Sequence, residues 1–117
     1  MKKPLVIAFG SQAKGRATAT SDFDFAVFSG GPLSLSERTD IGESLSKKLN
    51  INEDKIDIVD LYSVSPLLKF EVAKKGKLVE GEMFDFIRFK VRALKEYEDT
   101  AKFRRLRERI MMKDHVA

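Results

Sequence analysis

Residues 10–25 read GSQAKGRATATSDFDF, and this stretch is the most informative part of the chain about its function. A short apolar run stands just before it and predicts a buried strand. The turn at Gly10 and Ser11 leaves the first backbone N–H groups of a helix unpaired, and such groups bind anions. Asp22 and Asp24 stand in a second apolar run, where alternate side chains share one face of a strand. The pattern places two carboxylates beside an anion site, as metal-dependent transfer at phosphorus requires.

A third carboxylate is expected, because two metal ions at one phosphorus atom need shared ligands. Residues 56–61, IDIVDL, predict a strand that carries Asp57 and Asp60. These two residues lie three apart and face opposite sides of the sheet, so at most one joins the first two carboxylates. Alternation alone does not choose between them. The other interpretation of the DFDF pattern is a solvent-facing strand, but the upstream Gly-Ser pair favours a metal site.

The composition limits the class of protein. The chain has 117 residues, 43% of them hydrophobic and 34% charged, which fits one globular domain over residues 1–117. The absence of cysteine excludes disulfides and thiolate metal sites. No apolar run approaches the ~20 residues of a membrane span. We therefore expect a cytoplasmic protein that does not bind membranes.

The net charge of +4 is unevenly distributed. Residues 1–87 carry 12 Lys and Arg against 13 Asp and Glu, whereas residues 88–117 carry 10 against 5. The simplest interpretation of this basic end is a solvated helix face, and solvent is also the favoured surrounding of Arg88 and Arg92. Contact with an acidic partner or with RNA is the alternative.

Turn, capping and periodicity signals predict a small mixed sheet flanked by helices, an α+β fold with α/β character. Strands are predicted at 4–9, 23–28, 56–61 and 77–80, and helices at about 11–18, 35–49, 66–75 and 83–112.

The last helix is predicted to keep an apolar stripe at a spacing of three and four residues, and the phenylalanines are predicted to lie in the core. The stripe residues are Phe84, Ile87, Val91, Leu94, Tyr97 and Ala101. A helix of this length overhangs so small a domain. We expect it either to fold back near Thr100 or to pack its end on another chain.

Residues 10–25 resemble the G-S-x10-D-x-D signature of the DNA polymerase β nucleotidyltransferase superfamily, and the chain length resembles that of its smallest members, the minimal nucleotidyltransferases. The resemblance continues through KIDIVDL at 55–61, SPLLKFEV at 65–72 and GKLVE at 76–80. The resemblance covers about residues 4–82. The last helix, about 83–112, is similar to the family only in being a helix and not in its residues. The resemblance implies a polymerase β-type nucleotidyltransferase fold.

The resemblance also implies a role for each carboxylate. Asp22 and Asp24 would ligate two Mg²⁺ ions. Asp57 would ligate the second ion and help to deprotonate the acceptor hydroxyl. Asp60 would be a structural or surface residue.

The same resemblance implies a nucleotide site. Gly10 and Ser11 would hold the β- and γ-phosphates of ATP through backbone N–H and hydroxyl groups. Lys14 and Arg16 follow in the next loop, where neutralisation of the triphosphate and ordinary surface charge are equally good interpretations.

The resemblance further implies transfer of AMP from ATP to a hydroxyl. We expect the acceptor to be a tyrosine of a HEPN-family RNase toxin, which would make this chain the antitoxin of the pair. One alternative is an antitoxin that neutralises its toxin by binding alone. Another is a transferase for a small molecule such as an aminoglycoside. Self-association into a homodimer is a further alternative. Nucleic acid is not expected as the direct substrate.

Overall fold

The computed structural model describes residues 3–10 and 23–116, and the surroundings of side chains as far as residue 112. The predicted helix at about 11–18 lies outside this part of the chain. The described elements are β1 (Leu5–Phe9), β2 (Phe23–Phe28), α1 (Leu35–Leu49), a 3₁₀ turn (Glu53–Lys55), β3 (Ile56–Asp60), α2 (Pro66–Lys75), β4 (Lys77–Glu80) and α3 (Met83–Val116).

The described strands form one mixed sheet in the order β3-β2-β1-β4. β1 pairs antiparallel with both β2 and β4, whereas β2 pairs parallel with β3. A parallel pair needs a long crossover, and α1 with the 3₁₀ turn supplies it between β2 and β3. The predicted α+β fold, with a small mixed sheet and a long last helix, is confirmed.

Side-chain caps fix the ends of the two shorter helices. The Ser34 hydroxyl accepts a hydrogen bond from the N–H of Glu37 at 3.0 Å, and the Glu37 carboxylate accepts one from the N–H of Ser34 at 3.1 Å. Asn50 ends α1 in the left-handed conformation, with φ of 53°. Ser65 caps α2 ahead of Pro66, which takes the first helical position, where its missing N–H costs nothing. Local signals of this kind explain why both helices begin where the sequence predicts.

The sheet is covered on both faces, and the alternation of β2 divides its residues between them. Phe25 and Val27 pack with Leu45 of α1 in one apolar cluster. Ala26 and Phe28 point the other way, toward the cluster formed by α2 and α3. None of the described helices combines the length and apolar character that crossing a bilayer requires.

Helix α3 is continuous and does not fold back at Thr100. Its buried residues are Phe86, Phe89 and Ala93, each at most 5% exposed. Four residues of the predicted stripe lie instead on the outer side, with exposures of 67% for Phe84, 50% for Ile87, 62% for Val91 and 46% for Leu94. The prediction that the phenylalanines form the core is wrong for Phe84 and also for Phe103, which is 69% exposed.

Candidate active site

Asp24 and Asp57 lie side by side in the sheet. They are direct register partners on the parallel strands β2 and β3, which are spaced about 4.8 Å apart. Asp24 alternates with Ala26 and therefore points to the α2 and α3 side of the sheet. Asp24 is half-buried and Asp57 is exposed, so solvent reaches both residues. Two adjacent, accessible carboxylates supply the hard oxygen ligands that Mg²⁺ prefers.

Gly10 brings the backbone close to the Asp24 carboxylate. It follows Phe9, the register partner of Asp24 in the antiparallel pair of β1 and β2. Its φ of +84° is in the region that favours glycine, and a Cβ built on it would lie 2.7 Å from Oδ2 of Asp24. Only a residue without a side chain permits this approach. The sequence pattern assigns Gly10 to phosphate binding and gives no sign of this steric role.

Several predicted site residues lie outside the described part of the chain. They are Ser11, Lys14, Arg16 and Asp22. Within the described residues, no group of three or more His, Cys, Asp or Glu side chains is placed to hold a metal ion. Of the predicted metal ligands, the structure therefore describes only Asp24 and Asp57.

Asp60 occupies a different environment from Asp57. It is 8% exposed, and its two carboxylate oxygens accept hydrogen bonds from the backbone N–H groups of Leu33 and Tyr62, each at 3.0 Å. These bonds tie the loop before α1 and the turn after β3 to the end of the sheet. Asp60 is thus a structural residue that faces away from Asp24.

We expect Asp60→Ala to destabilise the protein by about 2–3 kcal/mol, because two partly buried N–H groups lose a charged acceptor. The free energy of unfolding, measured by urea denaturation, checks this value. Asp40→Ala, on the exposed side of α1, is the matched control and is expected to change stability by less than about 0.5 kcal/mol. Equal stability of the two variants would show that the Asp60 bonds are not structural.

Comparison with known protein families identifies the family to which this fold belongs. The family described as Polymerase beta, Nucleotidyltransferase matches residues 3–82, and the chain therefore belongs to this family. A curated relative, protein adenylyltransferase MntA of Aphanizomenon flos-aquae (strain 2012/KM1/D3), is 37% identical over 101 residues, covering 77% of this chain. The chain spans 65% of the length of that relative.

Two solved structures share the fold over nearly the whole chain. One is a toxin–antitoxin with AMP-PNP, with a TM-score of 0.70 and 28% identity, covering 97% of this chain and 86% of that one. The other contains a tri-AMPylated Shewanella oneidensis HEPN toxin in complex with an MNT antitoxin, with a TM-score of 0.64 and 26% identity. This match covers 100% of this chain and 87% of the matched chain in that structure, so the similarity includes α3.

Proposed function

We propose that this chain is an adenylyltransferase that transfers AMP from ATP to a tyrosine hydroxyl of a HEPN toxin and thereby acts as its antitoxin. The observation that carries the proposal is the in-register pair Asp24 and Asp57 with Gly10 packed against it. The likeness to MntA and to a complex with an AMPylated HEPN toxin supports the same reaction and partner.

In this proposal Asp22, Asp24 and Asp57 hold two Mg²⁺ ions. Bound Mg²⁺ neutralises the charge that develops on the phosphates, which is the largest requirement of transfer at phosphorus. The carboxylate pair fits this role, because its oxygens stand on neighbouring strands and reach solvent on one face. Gly10 sets the position of the Asp24 carboxylate by its close backbone approach.

The reaction proceeds by displacement at the α-phosphorus of ATP. The acceptor oxygen forms a bond to this phosphorus while the bond to the β-phosphate oxygen breaks, and pyrophosphate leaves. Asp57 takes the proton of the acceptor hydroxyl; its exposed position at the edge strand leaves room for the incoming side chain. Ser11 binds the β- and γ-phosphates, and Lys14 and Arg16 add positive charge beside them.

The proposal extends to the whole chain. Residues 1–117 form one nucleotidyltransferase domain, with the family core at about 4–82 and α3 as an extension of it. The protein works in the cytoplasm, where ATP and Mg²⁺ are available.

The test is transfer of label from α-labelled ATP to the product of the adjacent gene, which we expect to be the HEPN toxin. We expect the toxin to gain whole AMP units by mass spectrometry in the presence of Mg²⁺ and to gain none when EDTA removes the metal. A toxin that is neutralised without any mass increase would instead support an antitoxin that acts by binding alone. A toxin that is neither modified nor bound would refute both functions.

A further inference from the structure

Helix α3 has two apolar faces, and only one of them is used by the fold. Phe86, Phe89 and Ala93 pack on the sheet. Phe84, Ile87, Val91 and Leu94 repeat at intervals of three and four residues, which places them along one side of the helix. We call these four exposed residues the outer stripe. A row of exposed large apolar side chains on one helix face is typical of a protein–protein contact.

A charged cavity of about 550 Å³ lies between α3 and the end of β2, and Arg88 on its rim reaches the Phe84 ring of the outer stripe. Phe28 and Phe89 line it, with ring centroids 5.5 Å apart. Its charged lining residues are Lys69, Asp85, Arg88, Arg92 and Glu96.

The cations of this cavity differ in their pairing. Lys69 is paired with Glu96 at 3.3 Å. Among the described side chains, neither Arg88 nor Arg92 forms a salt bridge, and the Arg88 guanidinium lies 5.9 Å from the centre of the Phe84 ring. Two exposed guanidinium groups, of which Arg88 contacts the stripe at Phe84, suit a partner that brings carboxylates.

The charge of α3 also decides which partner fits the outer stripe. Residues 88–112 carry 9 Lys and Arg against 4 Asp and Glu. A second copy of this chain, packed stripe against stripe, would bring two basic helices together, and like charges across an interface oppose association. A surface with an apolar centre and an acidic edge complements both properties of α3.

We propose that the outer stripe is the docking surface for the HEPN toxin and that an acidic side chain of the toxin enters the cavity at Arg88 and Arg92. This inference rests on the proposed function, which supplies the partner. The cavity borders Phe28 at one end of β2, whereas Asp24 lies four residues away near the other end, about 13 Å along the strand. Docking and transfer therefore use separate surfaces, and each responds to its own substitutions.

The double variant Ile87→Asp and Val91→Asp tests the apolar contact. We expect it to weaken toxin binding, measured by isothermal titration calorimetry, by about 30-fold or more, because two central apolar contacts are replaced by charges. At saturating toxin the rate of AMP transfer recovers, since Asp24 and Asp57 are unchanged. Leu35→Asp is the control, because Leu35 is an apolar residue of α1 with 80% exposure. Circular dichroism verifies that all variants are folded.

Arg92→Glu tests whether an acidic side chain of the toxin contacts the cavity. We expect weaker toxin binding and a smaller dependence of Kd on salt than in the wild type, because one attractive charge pair is lost. Lys47→Glu, on the exposed side of α1, is the matched control for the change of charge. Equal salt dependence in the two variants would overturn the assignment of the cavity.

The outcomes separate the docking surface from the proposed function. If the wild-type chain neither binds nor modifies the toxin, the proposed function fails and the docking inference fails with it. If the wild type binds the toxin and the stripe variant binds it equally well, the docking inference alone is overturned. If the chain alone sediments as a dimer and the variant Ile87→Asp with Val91→Asp sediments as a monomer, the stripe is the contact surface for a second copy of this chain. RNA binding that Arg92→Glu abolishes, with toxin binding unchanged, would assign the cavity to nucleic acid.

Discussion

We expect Asp24→Asn to lower the rate of AMP transfer to the toxin by about a thousandfold or more, while the affinity for the toxin stays within about twofold of the wild type. The amide is neutral, so it would not neutralise a divalent cation as a carboxylate does. Asp57→Asn is expected to act in the same direction, because Asp57 is the register partner of Asp24. Single-turnover transfer of labelled AMP measures the rate, and calorimetry measures the toxin affinity.

Asp40→Asn is the matched control for this substitution. Asp40 is an exposed carboxylate on α1, and its replacement is expected to leave the transfer rate unchanged. Transfer by Asp24→Asn within a few-fold of the wild-type rate would remove Asp24 from the metal site. Loss of toxin affinity in step with loss of transfer would contradict the separation of docking from chemistry.

We expect Gly10→Ala to weaken binding of Mg²⁺ with ATP and to lower AMP transfer by about 100-fold, because a catalytic group displaced by about 1 Å loses its alignment. A Cβ at Gly10 would lie 2.7 Å from Oδ2 of Asp24, so the carboxylate or the backbone must move. Its φ of +84° adds a backbone strain of about 1–2 kcal/mol for alanine. Calorimetry with Mg²⁺ and ATP, together with urea denaturation, measures the two effects separately.

Gly30→Ala isolates the steric effect from the strain. Gly30 has nearly the same φ, +86°, but nothing lies within 4 Å of the Cβ that would be added. The two alanine variants are therefore expected to share the strain, while only Gly10→Ala alters Mg²⁺ and ATP binding. An equal loss of nucleotide affinity in both variants would show that contact with Asp24 is not the cause.

Much of the fold follows from local signals in the sequence. The predicted bounds of β2, α1, α2 and β4 agree with the structure, because each is marked by nearby capping, proline or glycine residues. The capping box of Ser34 and Glu37 forms as its spacing predicts. Such contacts lie within four residues of each other and need no knowledge of the rest of the chain.

The burial of α3 did not follow from the sequence. Phe84, Ile87, Val91 and Leu94 have helical spacing, but so do Phe86, Phe89 and Ala93 on another side of the helix. Periodicity identifies apolar faces and does not state which of them meets the sheet. The position of α3 against α2 decides this, with Lys69 paired to Glu96 and Phe70 stacked on Tyr97 at 4.3 Å.

The candidate site was predictable in kind but not in detail. Alternation limits the β3 carboxylates to one of Asp57 and Asp60, and the structure places Asp57 beside Asp24 while the backbone holds Asp60. The alternation of β3 alone leaves both residues possible, and only the family resemblance indicates Asp57, because the choice depends on how β3 pairs with β2. The contact between Gly10 and Asp24 is equally non-local, since the residues meet only when β1 pairs with β2.

In the proposed function, the parallel pairing of Asp24 with Asp57 links metal binding to the correct alignment of the sheet. A slip of β3 by one residue would turn Asp57 to the opposite face of the sheet. It would also move every apolar side chain of that strand to the other face. Such a misfolded sheet would lack the pair of carboxylates and would gain nothing from Mg²⁺. Metal binding would stabilise only the correctly aligned sheet, so Mg²⁺ is expected to raise the melting temperature of the correctly folded protein by an amount set by its concentration relative to Kd.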